Sequence, residues 1–449
     1  MESKGGFPAF IAFMEAHMAE KTVICGTIQD YSCKKSGYIV FDKKTGVIEN
    51  VGAGPYNATT SEDIIYFDDS YTILPADING HSHPEQSIYT DIVKPEWDLP
   101  LWCKNTIYKY SVYLTPQVVY YGCLRAFSRM LAYGTGTAFV SFYCHNKLEN
   151  EMDMQVIKAA KDIGIRLYYG RMNYDIISEN AYYEKKLSQS FFFEDPQTAA
   201  KNYMKLLCES TDHLIVAPSV HSLHASTPAA IKKAYELADT TNTYVQFHLS
   251  EDKNDVDISL SSFGERPVDF FKKNFTEDKI QALKKFLFSD CIWLDDHEIS
   301  LLKEAGCTVV FNPRMNYRMS VGRASYESFI EKGIPFLLGT DGESSNQDLS
   351  VENEETFFTS QLDLPVKRLG QKIRFGSAYV GSIEPGCFCD LKVKKNGKVT
   401  DVFIGGKRVF SNDTFVLPDS KNVEALEKDT SSVITSFFLY ADKKIQEGN

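Results

Sequence analysis

No stretch of this sequence is apolar for long enough to span a bilayer, no lysine or arginine run is long, and no Cys-x-x-Cys pair occurs. Each absence removes a class of protein. With 48 basic and 60 acidic side chains the formal charge is −12, which argues against a nucleic-acid or anionic-membrane surface and leaves a small molecule as the expected partner. The ten cysteines are scattered, with one Cys-x-Cys at Cys387 and Cys389. That pattern suits buried thiols in a reducing, cytoplasmic compartment better than a zinc knuckle. Phe7 to Ala19 is rich in apolar residues, but Glu15 and His17 interrupt it and no small-residue cleavage site follows. An amphipathic turn of helix is expected there rather than a signal peptide. The sequence has no internal repeat.

What is present suits one large domain and a smaller appended unit: 449 residues, of which 43% are hydrophobic. From Tyr71 onward, short apolar runs alternate with amphipathic stretches, the pattern of a parallel sheet covered by helices. The runs are ILPADIN (73–79), TAFVSFY (137–143), IRLYYG (165–170), HLIVAPS (213–219), TYVQFHL (243–249), FLFSDCIW (286–293), TVVFNP (308–313) and PFLLGTD (335–341). Eight of them favour a closed (β/α)8 barrel, a TIM-like α/β fold, over an open sheet. The flanks differ: YIVFDKKTGVIENVGAG and KVKKNGKVTDVFIGGKRVF are punctuated by turns like β hairpins. Residues 1–74 and 376–449 are therefore expected to contribute the two parts of a small β-sandwich around a barrel at 75–375, with a helical tail at the end.

Barrels of this kind place their chemistry at the C-terminal strand ends. The first run leads into GHSHP, where His81 and His83 stand two apart on extended backbone and face the same way. Such a pair can grip one metal ion, although His-x-His also arises by chance. The fifth run ends in FHLSED, setting His248 at the strand end and Glu251 in the loop. A ligand beside a proton carrier suits activation of water; a buried histidine and a solvated glutamate is the plain alternative. Asp341, after the eighth run, is either a fourth ligand and proton acceptor or a helix cap. The fourth run leads into VHSLHASTP, where His221, more than His224, is the candidate to hold a substrate heteroatom. Tyr89, Trp97 and Trp102, in a stretch expected to cover the mouth, can stack on a flat ring or simply pack there.

Together, ILPADINGHSH, VHSLHASTP, FHLSEDKNDV, CIWLDDHEISLLKEAGCTVVFNPRMN, GIPFLLGTDGESSN and GSIEPGCFCDLKV resemble the amidohydrolase superfamily. Within it the chain is similar to the branch of S-adenosylhomocysteine and methylthioadenosine deaminases, s-triazine hydrolases and selenium-metabolism-associated aminohydrolases. The resemblance implies a barrel with a β-sandwich, a homodimer, and hydrolytic deamination of a purine-, pterin- or triazine-like heterocycle. It further implies one divalent metal, zinc by default with iron or manganese as alternatives, held by His81, His83, His248 and Asp341. Glu251 would be the proton shuttle, Asp341 also a proton acceptor, and His221 a substrate contact. One position departs from the pattern: Asp290 stands where relatives carry a histidine at the end of strand six. An ionised carboxylate adds negative charge and cannot donate a proton. His297, seven residues on, is a remote substitute. The segment between Asp341 and GSIEPG is also short. These departures keep open a second reading, a catalytically impaired barrel that serves as a binding or assembly protein.

Overall fold

The computed structural model describes residues 20–30, 33–58, 62–275, 280–362, 372–416 and 421–447. The amphipathic turn expected over Phe7 to Ala19 lies outside them. Eight strands pair in sequence order: β1 (Asp77–Ser82), β2 (Thr135–Phe142), β3 (Arg166–Asn173), β4 (Leu214–Val220), β5 (Val245–Leu249), β6 (Phe286–Asp290), β7 (Thr308–Phe311) and β8 (Phe336–Leu338). Every pairing is parallel. A parallel bridge between Ser82 and Asp341 joins β1 to the residues beyond β8 and closes the barrel.

All eight expected runs hold strands, with one correction. The run 73–79 is two strands: Tyr71–Pro75 belongs to the sheet made by the chain ends, and β1 starts afresh at Asp77. The break falls where Ala76 donates its amide to the Asp390 carbonyl at 3.0 Å and the Asp77 side chain accepts from Lys392 Nζ at 2.6 Å. Local hydrophobicity carries no mark of that change of partner.

Seven strands each send one side chain into a layer of the barrel interior, among them Ile78, Phe139, Tyr168, Leu287, Val310 and Leu337. Phe139 and Tyr168 stack with ring centroids 4.4 Å apart. The interior is therefore packed core rather than a channel, which confines chemistry to the ends. The covering helices stop and start on local signals. Pro228–Thr241 begins behind Thr227, whose hydroxyl accepts from the Ala230 amide, and Asp296–Ala305 begins with a capping box of Asp295 and Glu298. Glu151–Ile163 and Asp296–Ala305 end at Gly164 and Gly306, both left-handed.

The chain ends combine in one nine-stranded sheet in which Tyr71–Pro75 pairs with Leu391–Lys395. Ile24, Ile39, Phe41, Ile73, Leu391 and Phe403 belong to its apolar core. The helical tail is a single helix, Val423–Gln446, whose Phe438 meets Tyr110 edge-on at 5.0 Å on the barrel side. Among the described residues, two buried ion pairs tie sheet to barrel. One is Lys392 with Asp77; the other is Arg166 with Asp390, at 2.7 Å from Nε and 2.9 Å from Nη2. All ten cysteines are unpaired; seven are buried, whereas Cys33 and Cys208 are exposed and Cys103 is half-buried.

Removing one member of a buried ion pair leaves a charge uncompensated. Arg166→Met should lower the unfolding free energy by about 3–5 kcal/mol. Arg166→Met combined with Asp390→Asn should cost less than Arg166→Met alone. Urea unfolding midpoints of both variants against the parent check this.

Candidate metal centre

The mouth of the barrel at the C-terminal strand ends brings together His81, His83, His248 and Asp341, with one ligand atom of each within 4.8 Å of the others. His81 is the penultimate residue of β1 and His83 lies just past its end. Their alternation turns both imidazoles inward, while Ser82 between them points away and donates to the Phe139 carbonyl. His248 lies near the end of β5. Asp341 follows β8 by way of Gly339, where a Cβ would stand 2.8 Å from the His81 amide and 2.4 Å from Asn312 Oδ1. Glycine is what lets the eighth strand approach the first this closely.

The donor atoms converge. His248 Nε2 lies 3.2 Å from His81 Nε2 and 3.3 Å from His83 Nε2, and Asp341 Oδ1 lies 3.3 and 3.4 Å from those of His81 and His83. Ligands about 2.0–2.1 Å from a shared ion in a tetrahedron stand roughly 3.3 Å apart. The rings are also set in the tautomer an ion needs. His83 Nδ1 donates to the Ser141 carbonyl at 2.6 Å and His248 Nδ1 to the His221 carbonyl at 2.9 Å, which leaves the Nε2 lone pairs facing the group. Asp341 Oδ2 accepts from Ser345 Oγ at 2.5 Å, turning Oδ1 toward the histidines. Asp341 caps no helix; the next one, Val351–Ser360, is capped by Ser350.

Electrostatics agree with the geometry. Burial pushes His83 down to about 3 and also lowers His248, so both are neutral near pH 7. Burial works against the charge on Asp341, but the hydrogen bonds from His81 and Ser345 hold it well below the usual carboxylate range. Three imidazoles with one carboxylate form a donor set suited to a divalent ion. Glu251 behaves oppositely: burial, then the charges of Asp290 and Asp341, raise it well above the ordinary value and favour its protonated form.

Asp290 is fully buried but stands outside the four-residue group. Its Oδ1 accepts from Asn312 Nδ2 at 2.8 Å and Asn316 Nδ2 at 3.2 Å, and its Oδ2 from Ser289 Oγ at 3.0 Å. His297 is exposed and pairs with Asp269 at 3.2 Å, so it does not replace the absent histidine. His221 packs beside His248 with centroids 4.8 Å apart, and burial lowers its pKa. His224 instead pairs with Asp255 at 2.5 Å, and Asp255 Oδ2 accepts the Glu251 amide at 3.2 Å, anchoring that loop. Tyr89 and Trp102 are buried, and Trp97 is partly buried against the same core. Sequence reading missed Ser345, Asn312, Asn316 and Asp255, and also Glu85, a carboxyl that burial pushes up to about 8. The short polar run GESSN after Asp341 was the available signal for Ser345.

The fold and this donor set define a (β/α)8 barrel with a metal-ligand group at its C-terminal mouth. The chain belongs to the amidohydrolase family, whose profile matches residues 72–409. It is 28% identical over 305 residues to a 5-methylthioadenosine/S-adenosylhomocysteine deaminase of Caldicellulosiruptor saccharolyticus, covering 67% of this chain and 63% of that one. A second deaminase of that name, from Caldanaerobacter subterraneus, is 30% identical over 63% of this chain and 60% of its own. The chain thus spans about three-fifths of the length of these relatives. A 5'-deoxyadenosine deaminase of Methanopyrus kandleri is 24% identical over 84% of this chain and 89% of its own. In fold, the chain is similar to a zinc complex of atrazine chlorohydrolase from Arthrobacter aurescens (TM-score 0.78, 17% identity, 92% of this chain and 100% of that one). It is also similar to an adenosine deaminase from Xanthomonas campestris with bound zinc (TM-score 0.74, 18% identity, 93% and 98%).

Ser345→Ala removes the hydrogen bond that orients Asp341 without touching any of the four donors. Zinc affinity should fall roughly 10- to 100-fold, measured by competition with a chromophoric chelator. An unchanged affinity would mean that Ser345 does not orient the ligand.

Proposed function

We propose that this chain is a metal-dependent aminohydrolase that exchanges the amino group of a heterocycle for oxygen and releases ammonia. The observation that carries the reading is the convergence of three histidines and one aspartate at the barrel mouth, with a carboxyl at Glu251 whose pKa burial and the charges of Asp290 and Asp341 raise. The relatives named as deaminases of adenosine-type compounds favour a purine nucleoside as substrate over a pterin or a triazine. His81, His83, His248 and Asp341 would hold one divalent ion, zinc by default with iron or manganese as alternatives. When bound, such an ion supplies Lewis acidity and brings the pKa of a coordinated water toward neutrality.

The chain's own groups carry the protons. Asp341 accepts one from the attacking water. Glu251, a carboxylic acid before reaction, protonates the ring nitrogen next to the amino-bearing carbon, takes a proton from the newly added hydroxyl and delivers it to the amino group, which leaves as ammonia; the proton held by Asp341 then restores Glu251. His221, neutral and hydrogen-bonded at Nδ1 to Ser222 Oγ at 3.0 Å, presents Nε2 to a substrate heteroatom. Asp290 holds Asn312 and Asn316 and adds negative charge near Glu251, a different part from that of a water-orienting histidine. Cytoplasmic location and a homodimer belong to the same proposal; among the described residues no helix is long and apolar enough to cross a membrane.

Asp290 also favours a second reading, a barrel that keeps its ion but no longer turns over and acts as a binding or assembly protein. A panel of amino-purines, amino-pterins and amino-triazines separates the two by ammonia release. A metal-loaded chain inert toward all of them would support the second. If the first holds, Glu251→Gln should cut kcat/KM roughly 100- to 10,000-fold with metal content unchanged, and full turnover in that variant would remove Glu251 from the mechanism.

A further inference from the structure

Beyond the four donors, one chain of polar contacts leads from the mouth to the C-terminal helix. Arg129, on the helix Pro116–Ala132, donates from Nη1 to Glu343 Oε1 at 2.7 Å. Its Nε and Nη2 donate to the two oxygens of Glu427 at 2.7 and 2.9 Å. Glu343 lies two residues beyond Asp341, and its other oxygen accepts from Ser87 Oγ. Ser87 belongs to the turn Pro84–Tyr89 that directly follows His83. The Ser87 carbonyl accepts from Arg125 Nη1 at 3.3 Å, and Arg125 Nε lies 3.4 Å from Glu427 Oε2. Glu343 is almost wholly buried, with 6% of its side chain exposed, while Arg129 and Glu427 are about a quarter exposed at 24% and 27%.

We infer that Glu427, on the C-terminal helix, is a positioning residue for the metal centre: through Arg129 and Glu343 it fixes the two loops that carry Asp341 and His83. Those loops come from opposite ends of the barrel sequence, and Glu343 with Ser87 is a side-chain cross-link between them. Arginine's planar fork is what lets one side chain serve both carboxylates. Without Glu427, Arg129 keeps one carboxylate and regains freedom to swing, and the loops lose their fixed backing. The inference rests on the metal-binding reading, and two independent readouts keep their failures apart.

The test uses the full chain and three variants. Glu427→Ala removes the anchor, Arg129→Lys keeps the charge but loses the fork, and Phe437→Leu loosens the same helix away from the ion network. Zinc affinity is measured by chelator competition, and amide hydrogen exchange is followed in peptides covering 84–89, 342–346 and, as reference, Phe286–Asp290. Glu427→Ala and Arg129→Lys should each weaken zinc about tenfold or more and speed exchange in both loop peptides, leaving the reference unchanged. Phe437→Leu should lower the melting temperature without moving affinity. Parental affinity and exchange in Glu427→Ala would overturn the inference, as would an affinity loss of the same size in Phe437→Leu. A parent chain that binds no zinc would overturn the metal reading instead, and the exchange data would still decide whether Glu427 holds the loops.

Discussion

Closure of the barrel and assembly of the site are one event. The His81 carbonyl accepts the amides of Thr340 and Asp341 at 3.1 and 3.0 Å, and the Asn79 side chain accepts the Thr340 amide and donates to its hydroxyl. These bonds join the first strand to the last. They also set the aspartate beside the His81 and His83 rings. A register slip at that seam would open the barrel and scatter the ligands together, so stability and chemistry share one constraint. Gly339 makes the approach possible because any Cβ would strike the His81 amide.

The price of the site is visible in the backbone and in the charges around it. Ser250, Asp290, Cys291 and Asp341, all at strand ends around the mouth, have φ of +51°, +71°, +50° and +54°, a region that residues other than glycine seldom occupy. Around them the chain buries Glu85, Asp290, Asp341 and Glu343 and half-buries Glu251. Burial raises Glu85 and Glu251 toward their neutral forms, amides from Asn312 and Asn316 satisfy Asp290, and Arg129 satisfies Glu343. The negative charge held by Asp341 then faces the three imidazoles, where a small cation is the natural complement.

The strands were legible because parallel strands buried on both faces are near-continuous apolar runs, and the ligands because each lies at the end of such a run. His81 and His83 needed only the two-residue period of a strand. The switch of sheets at Ala76 was not legible, since it depends on Asp390 and Lys392, more than 300 positions away. The satisfaction of Asp290 was hidden as well: its amide partners, Asn312 just after the next strand and Asn316 on the helix Pro313–Arg318, come to it only in the fold, and the sequence displayed a missing histidine but not this pairing. The tail was recognisable as a helix. Its contact with Arg129, 298 residues earlier, could come only from coordinates.

Metal content per chain by elemental analysis, after preparation in zinc-supplemented medium and removal of loosely held ions, is the most direct measurement of the central claim. The expected result is one equivalent in the parent chain and a clear loss in a variant lacking His83 and His248. A metal-free parent, or one equivalent retained by that variant, would contradict the assignment of the barrel mouth as a metal centre.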